Sequence, residues 1–262
     1  MRLEYKYAVP VDRLDALRED IRRFTTLDTF AARHSTLQYT VRSIYFDTPL
    51  FTAYRDKLDG IKVRKKLRIR SYNDRQTDQI AYLEIKSKNN QRGMKYRAPV
   101  LVDDIDTLIS SRETDGLVQP GTDLSRSTKN AQRFLFHYIR SSMRPVILVT
   151  YEREAFLGQH DRTLRITFDK NMRFAPYPSV QDLFEEDTLR HVAPRYFIME
   201  VKFDHGFSPW LSSVIKKHSL NHTSISKYCS CLEKSGIVSR GVRGNSIDRL
   251  REIPQLGSEV EA

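Results

Sequence analysis

Residues 62–72 read KVRKKLRIRSY. At the two-residue period of a strand, Arg64, Lys66, Arg68 and Arg70 share one side. Val63, Leu67 and Ile69 share the other, with Lys65 the one cation among them. Like charges side by side repel, so such a face calls for an anion with many charges. Guanidinium forks match phosphate oxygens in pairs, and ammonium groups act as compact point charges. These are the parts that phosphoryl transfer uses, because that reaction needs positioning and charge neutralisation more than covalent help.

The pattern recurs along the chain. LEYKY puts Glu4 and Lys6 on one face, and YLEIKSK puts Glu84, Lys86 and Lys88 opposite Leu83 and Ile85. MKYR pairs Lys95 with Arg97, and TYERE offers Tyr151 and Arg153. LRITFD sets Arg165, Thr167 and Asp169 against Ile166 and Phe168. FIMEVKFD sets Glu200, Lys202 and Asp204 against Phe197, Met199, Val201 and Phe203. A β-sandwich with charged outer faces would also alternate in this way. The dense aromatic partner faces and the isolated Glu-x-Lys units point instead to a closed barrel, charged inside and covered by helices outside. Cations would bind the anion there, and the few carboxylates would hold a divalent metal.

The elements that must position these residues follow from periodicity. Strands are expected at 1–9, 38–47, 62–73, 80–89, 94–101, 144–156, 163–174 and 195–204. Leu14, Leu17, Ile21 and Phe24 fall at helical spacing after Asp12, the expected N-cap. Further helices are expected at 50–60, stopped by Gly60, within 103–126, from about Thr128 to 143, and at 208–220 and 224–235. Strands without alternating helices indicate an α+β, antiparallel, β-rich fold with peripheral helices. Residues 1–235 are expected to form a single domain, and 236–262 a poorly ordered basic and polar tail.

The 262 residues hold 44 Lys+Arg against 33 Asp+Glu, a net charge of +11, which implies a polyanionic partner. Cys229 and Cys231 are one residue apart, too close for a disulfide framework, and read as structural cysteines in a reducing compartment. No apolar run approaches the roughly 18 residues of a membrane helix, and no apolar leader opens the sequence. A soluble, cytoplasmic protein is expected. There is no G-x-x-x-x-G-K-[ST] loop and no H-E-x-x-H, and the seven histidines do not fall at ligand spacings.

Nine segments in order resemble the VTC (vacuolar transporter chaperone) domain of the triphosphate tunnel metalloenzyme superfamily. They are LEYKYAV, SIYFDTPLFTAY, KVRKKLRIRSY, LEIKSK, MKYR, PVILVTYEREAF, LRITFD, MEVKF and SISKY. The resemblance implies an eight-stranded antiparallel β-barrel tunnel with basic walls. It implies a polyphosphate polymerase that moves the γ-phosphate of ATP onto phosphate or polyphosphate, with Mn2+ or Mg2+ as cofactor. Arg68, Arg70, Lys86, Arg153 and Arg165 would be the catalytic cations. Lys6, Lys95, Arg97, Tyr151, Lys202, Ser226 and Lys227 would bind substrate, with Lys202 included on strand parity and Ser226–Lys227 at a helix start that favours anions. Glu200 would hold the metal, with Glu4 and Glu84 as further ligands.

The superfamily's hydrolases and cyclases often begin Glu-x-Glu-x-Lys, whereas this chain has Arg2 at the first position. That counts against a tripolyphosphatase or a nucleotidyl cyclase, which remain the enzymatic alternatives. A non-catalytic polyphosphate-binding module is the third reading. Nucleic acid is not the expected partner, because stacking aromatics are expected on the packed faces, opposite the cations. The family also implies a membrane-protein partner on a separate chain, which would place the domain at the inner face of a membrane. The sequence sets no oligomeric state.

Overall fold

The strands and helices are those of a computed structural model that describes residues 3–89, 92–121, 123–204 and 206–238. The described elements, in chain order, begin with β1 (Leu3–Pro10), α1 (Leu14–Arg22), β2 (Thr25–Leu27) and β3 (Tyr39–Asp47). α2 (Thr52–Leu58), β4 (Val63–Tyr72), β5 (Ile80–Asn89) and β6 (Arg92–Leu101) follow. Then come α3 (Ile105–Ser111), α4 (Leu124–Arg140), β7 (Arg144–Gly158) and β8 (Arg165–Pro176). β9 (Arg190–His191), β10 (Tyr196–Phe203), α5 (Pro209–Lys217) and α6 (Lys227–Ser235) complete the order. The fold is α+β, with a large antiparallel sheet and six α-helices among the described residues.

The expected eight strands are present as β1, β3 to β8 and β10. Two short strands were not foreseen: β2, which pairs with β7, and β9, which pairs with β8. At two or three residues each, neither is long enough to show a period in sequence. The expected tail lies, from residue 239 onward, outside the described residues, as does Arg2. No described helix is long and apolar enough to cross a membrane.

The chain divides into two compact units. Unit one takes in the described residues of Met1–Gln38, Arg153–Asn171 and Ala193–Ala262. Its strand order is β1-β10-β8-β7, with Lys6 opposite Glu200, Glu4 opposite Lys202, and Glu200 opposite Thr167. The apolar face of these strands packs with α1 and α5 through Leu17, Ile21, Phe168, Phe197, Met199 and Leu211. α1 starts after a 3-10 turn at Val11–Arg13, so Asp12 lies inside that turn, and no side chain caps either start. α6 is capped by Ser226, whose Oγ accepts from the Cys229 amide at 3.4 Å, and ends on Gly236 at φ +80°. Cys229 and Cys231 are buried in α6 and form no disulfide, and burial pushes the Cys231 thiol up.

Unit two takes in Tyr39–Glu152 and Met172–Val192. Its strand order is β7-β3-β4-β5-β6, and the register sets Arg68 between Tyr45 and Glu84, and Lys86 between Lys66 and Lys95. α4 begins at Leu124, earlier than expected at Thr128, because Asp123 accepts from the Arg126 amide at 3.1 Å and nucleates the first turn. The start of α2 is held by buried Asp47, which accepts from the amides of Ala53 at 2.9 Å and Tyr54 at 3.0 Å. Gly60 lies just past its end at φ +69°, as expected for a helix stop. The core combines Phe46, Leu67, Ile69, Leu83 and Ile85 of the strands with Phe134 of α4. Phe134 meets Phe46 edge-on, with ring centroids 5.8 Å apart.

Because Phe134 is fully buried, Phe134→Ala is expected to cost about 3–5 kcal/mol. Urea unfolding checks this; an unchanged midpoint would show that α4 is not part of the unit-two core.

Candidate anion and metal site

In unit two the positive charge is concentrated on one face of the sheet. The strand period brings Arg68 and Arg70 of β4, Lys86 of β5, and Lys95 and Arg97 of β6 to one face. Glu84 is the one carboxylate at the corresponding positions of β4, β5 and β6. It is almost fully buried, and both its oxygens are engaged. Oε2 accepts from Arg68 Nε at 2.7 Å, while Oε1 lies 2.7 Å from Lys95 Nζ and 3.1 Å from Arg97 Nε. Burial alone would raise the Glu84 pKa, but Arg68, Arg70 and Lys95 outweigh it and hold the carboxyl well below its usual range. Burial lowers the Lys95 pKa, and its share of Glu84 does not restore it because Arg97 and Arg68 oppose. Lys66, Lys86 and Lys95 lie side by side across three strands. Like charges so placed are destabilising, and a polyanion would relieve them.

Tyrosines frame this face, contrary to the expectation that aromatics keep to the packed side. Arg68 Nη1 donates to Tyr45 Oη at 3.1 Å, and Arg70 donates to Ser43 Oγ at 2.9 Å and to Tyr151 Oη at 3.3 Å. Arg97 donates to Tyr72 Oη at 3.1 Å and lies 3.3 Å over the Tyr82 ring. The phenol oxygens orient the guanidinium forks, and a cation covers the Tyr82 ring face, the surface on which a base would stack. Tyr151 is where the sequence pattern put it. Tyr45, Tyr72 and Tyr82 were missed, although their parity with the basic residues is readable in SIYFD, RSY and AYLEI.

On the charged face of unit one the cations and carboxylates are more nearly matched. Lys6 Nζ lies 2.9 Å from Glu4 and 3.6 Å from Glu200, and donates to the Ile225 carbonyl at 3.3 Å. Lys202 contacts Glu200 closely and lies 3.6 Å from Glu4, so two lysines bridge two carboxylates. Burial opposes the Lys6 charge, yet Glu200 and Glu4 together raise its pKa above the lysine range. Burial likewise opposes the Glu200 charge, but Lys6, Lys202 and Lys227 hold its pKa well below normal. Arg153 grips buried Asp169 with two bonds of 2.6 and 2.7 Å, and Lys227 adds a third at 2.6 Å. Despite burial, Arg153 and Lys227 lower the Asp169 pKa. Arg165 pairs with Asp28 at 2.8 Å.

Asp169 and Asp28 pair with cations that the sequence singled out, although sequence reasoning gave neither carboxylate a role. Asp169 shares the parity of Arg165 and Thr167, which was the available signal. Asp28 sits in a turn, accepting from the Ala31 amide at 2.8 Å, where no period points to it. Ser226 and Lys227 stand at the start of α6, as expected.

Glu4 and Glu200 are brought together in unit one, while Glu84 belongs to unit two. Among the described residues, no group of three His, Cys, Asp or Glu is arranged as a metal cage. The Thr167 hydroxyl, opposite Glu200 in the ladder, is buried without a hydrogen-bond partner. Two carboxylates and an unpartnered hydroxyl fit a hard divalent ion that completes its shell with phosphate oxygens and water. Glu84 suits that role least, since it has no second carboxylate beside it on β4, β5 or β6.

A family model described as the VTC domain matches residues 1–235. The chain belongs to the VTC domain family. No curated protein matches the chain. Among solved structures it is similar to the putative adenylyl cyclase HpAC1 from Hippeastrum, described as having a dominant triphosphatase activity. That match has 12% identity and a TM-score of 0.42, and covers 90% of this chain and 96% of the other. The PH1819 protein from Pyrococcus horikoshii OT3 matches at 13% identity and TM-score 0.38, covering 84% and 86%. The Schizosaccharomyces pombe Mediator head module matches at 12% identity and TM-score 0.39, covering 83% and 90%.

Because the pKa values of Glu84, Asp169 and Glu200 are depressed in the folded protein, the unfolded chain takes up protons first as pH falls. Their stabilisation is full above about pH 5 and is lost as pH drops through the ordinary carboxylate range toward the folded values. Urea midpoints are therefore expected to be lower at pH 4 than at pH 7; a higher midpoint at the acid pH would refute the charge assignment.

Proposed function

We propose that this VTC domain is a polyphosphate polymerase, in which residues 1–235 transfer the γ-phosphoryl group of ATP to phosphate or a polyphosphate end. The family's closed basic tunnel is part of this reading. One observation carries it: Glu84, Asp169 and Glu200, the buried carboxylates of the charged faces, are each held ionised by two or more cations. Such carboxylates are weak bases, poorly suited to taking a proton from water. A phosphate oxygen is already an anion and needs no base, so the arrangement favours a phosphate acceptor over hydrolysis.

In this reading Arg68, Arg70, Lys86, Arg153 and Arg165 clamp the triphosphate and neutralise charge on the transferred group. Lys6, Lys95, Arg97, Lys202, Ser226 and Lys227 hold the chain of phosphates, and Tyr151 orients Arg70. Glu200 and Glu4 would hold Mn2+ or Mg2+, which when bound supplies Lewis-acid polarisation of phosphate oxygens. We assign Glu84 to spacing the cations of its face rather than to the metal.

Incubation with ATP and Mn2+ should yield ADP together with a ladder of polyphosphate on a gel. Free phosphate without a ladder would make the protein a hydrolase, and tight polyphosphate binding without turnover would make it a binding module. Glu200→Gln should abolish turnover while polyphosphate binding is kept or strengthened. If neither activity nor binding responds, the metal assignment fails.

A further inference from the structure

The outward face of α4 is a second basic surface, remote in kind from the phosphate-binding pattern. Its seventeen residues contain Arg126, Lys129, Arg133 and Arg140 and neither Asp nor Glu. The inner face is accounted for, since Ala131, Phe134 and Leu135 are buried in the unit-two core. On the outer face Phe136 is 52% exposed and Ile139 is 42% exposed, flanked by exposed Arg133 and Arg140. The Arg140 guanidinium lies 5.6 Å over the Phe136 ring. A helix at the surface of a protein that met only water would place polar residues at these positions.

The surface continues onto the sheet. Arg133 lies 4.1 Å over the ring of Tyr96, whose hydroxyl reaches the sulfur of Met94 at 3.6 Å. Met94 is 51% exposed and aligns through Ser87 with Lys65, the cation that stood out on the apolar side of β4. Burial first, and then the charges of Lys65, Arg133 and Arg140, lower the pKa of His137, which ties these residues into one neighbourhood. Single exposed apolar side chains need no explanation, but apolar groups set among cations without a carboxylate in the helix do.

We propose that the outer face of α4, with Lys65 and Met94 beside it, docks the protein on an anionic lipid bilayer. Arg133, Arg140, Lys129 and Lys65 would meet lipid phosphates and carboxylates, and Phe136, Ile139 and Met94 would enter the headgroup layer between them. Charge complementarity sets the sign of the lipid. The aliphatic members distinguish this face from a nucleic-acid surface, which has no use for an exposed Ile and Met. The proposal stands apart from the polymerase reading, since it uses none of the residues assigned to phosphate or metal.

Flotation of the full chain with vesicles of phosphatidylserine and phosphatidylcholine, against phosphatidylcholine alone, tests it. Binding is expected only with the anionic lipid. Arg133→Glu/Arg140→Glu should weaken it at least about thirtyfold, and Phe136→Ser/Ile139→Ser about tenfold. Unfolding midpoints and ATP turnover should be unchanged in both. Lys66→Glu/Lys86→Glu, the same charge change on the opposite face, should retain most of the binding. Absence of anionic-vesicle binding overturns the proposal, as does an equal loss in the Lys66/Lys86 variant, which would mean attraction by net charge alone. Retention of duplex DNA or RNA that Arg133→Glu/Arg140→Glu abolishes, without vesicle binding, would assign the face to nucleic acid instead.

Discussion

Sharing of each buried carboxylate among several cations is the constraint on which the charged faces depend. An ionised group taken out of water loses several kcal/mol of hydration, and a single ion pair returns that only with good geometry. Glu84 meets Arg68, Lys95 and Arg97; Asp169 meets Arg153 and Lys227; Glu200 meets Lys6, Lys202 and, at 4.0 Å, Lys227. Each anion is thereby ionised and oriented, and each spaces cations that would otherwise repel. Antiparallel pairing makes this possible, because it sets residues of neighbouring strands side by side at fixed register.

The balance of charge differs between the charged faces of the two units, and that difference has chemical content. On β4, β5 and β6 of unit two the cations far outnumber the single Glu84, so the face retains positive charge after its internal pairs are made. In unit one Glu4, Glu200, Asp169 and Asp28 nearly match the cations that touch them. A surplus of cations suits the binding of phosphates, and paired carboxylates beside the unpartnered Thr167 hydroxyl suit a divalent ion.

Much of the fold was legible because long amphipathic strands and helices write their periods plainly. All eight expected strands are present, with helices near the expected places. Errors fell where a local hydrogen bond decides: Asp123 rather than a later residue starts α4, and Asp12 sits in a 3-10 turn instead of capping α1. β2 and β9 were unreadable because elements of two or three residues exist only through their partners.

For the site, strand parity in the sequence determined which residues could share a face, and the run of Arg and Lys determined that the face would favour an anion. Tertiary structure alone decided the pairings. Parity puts Asp169 with Arg165, but only the packing of α6 against β8 brings Lys227 to it, and only register sets Glu84 among Arg68, Lys95 and Arg97. Aromatic placement was decided the same way, since a tyrosine can bury its ring and still offer its hydroxyl to an arginine. Period records the side a residue takes within its own strand; electrostatic partnership depends on distances across strands and helices, which no single segment contains.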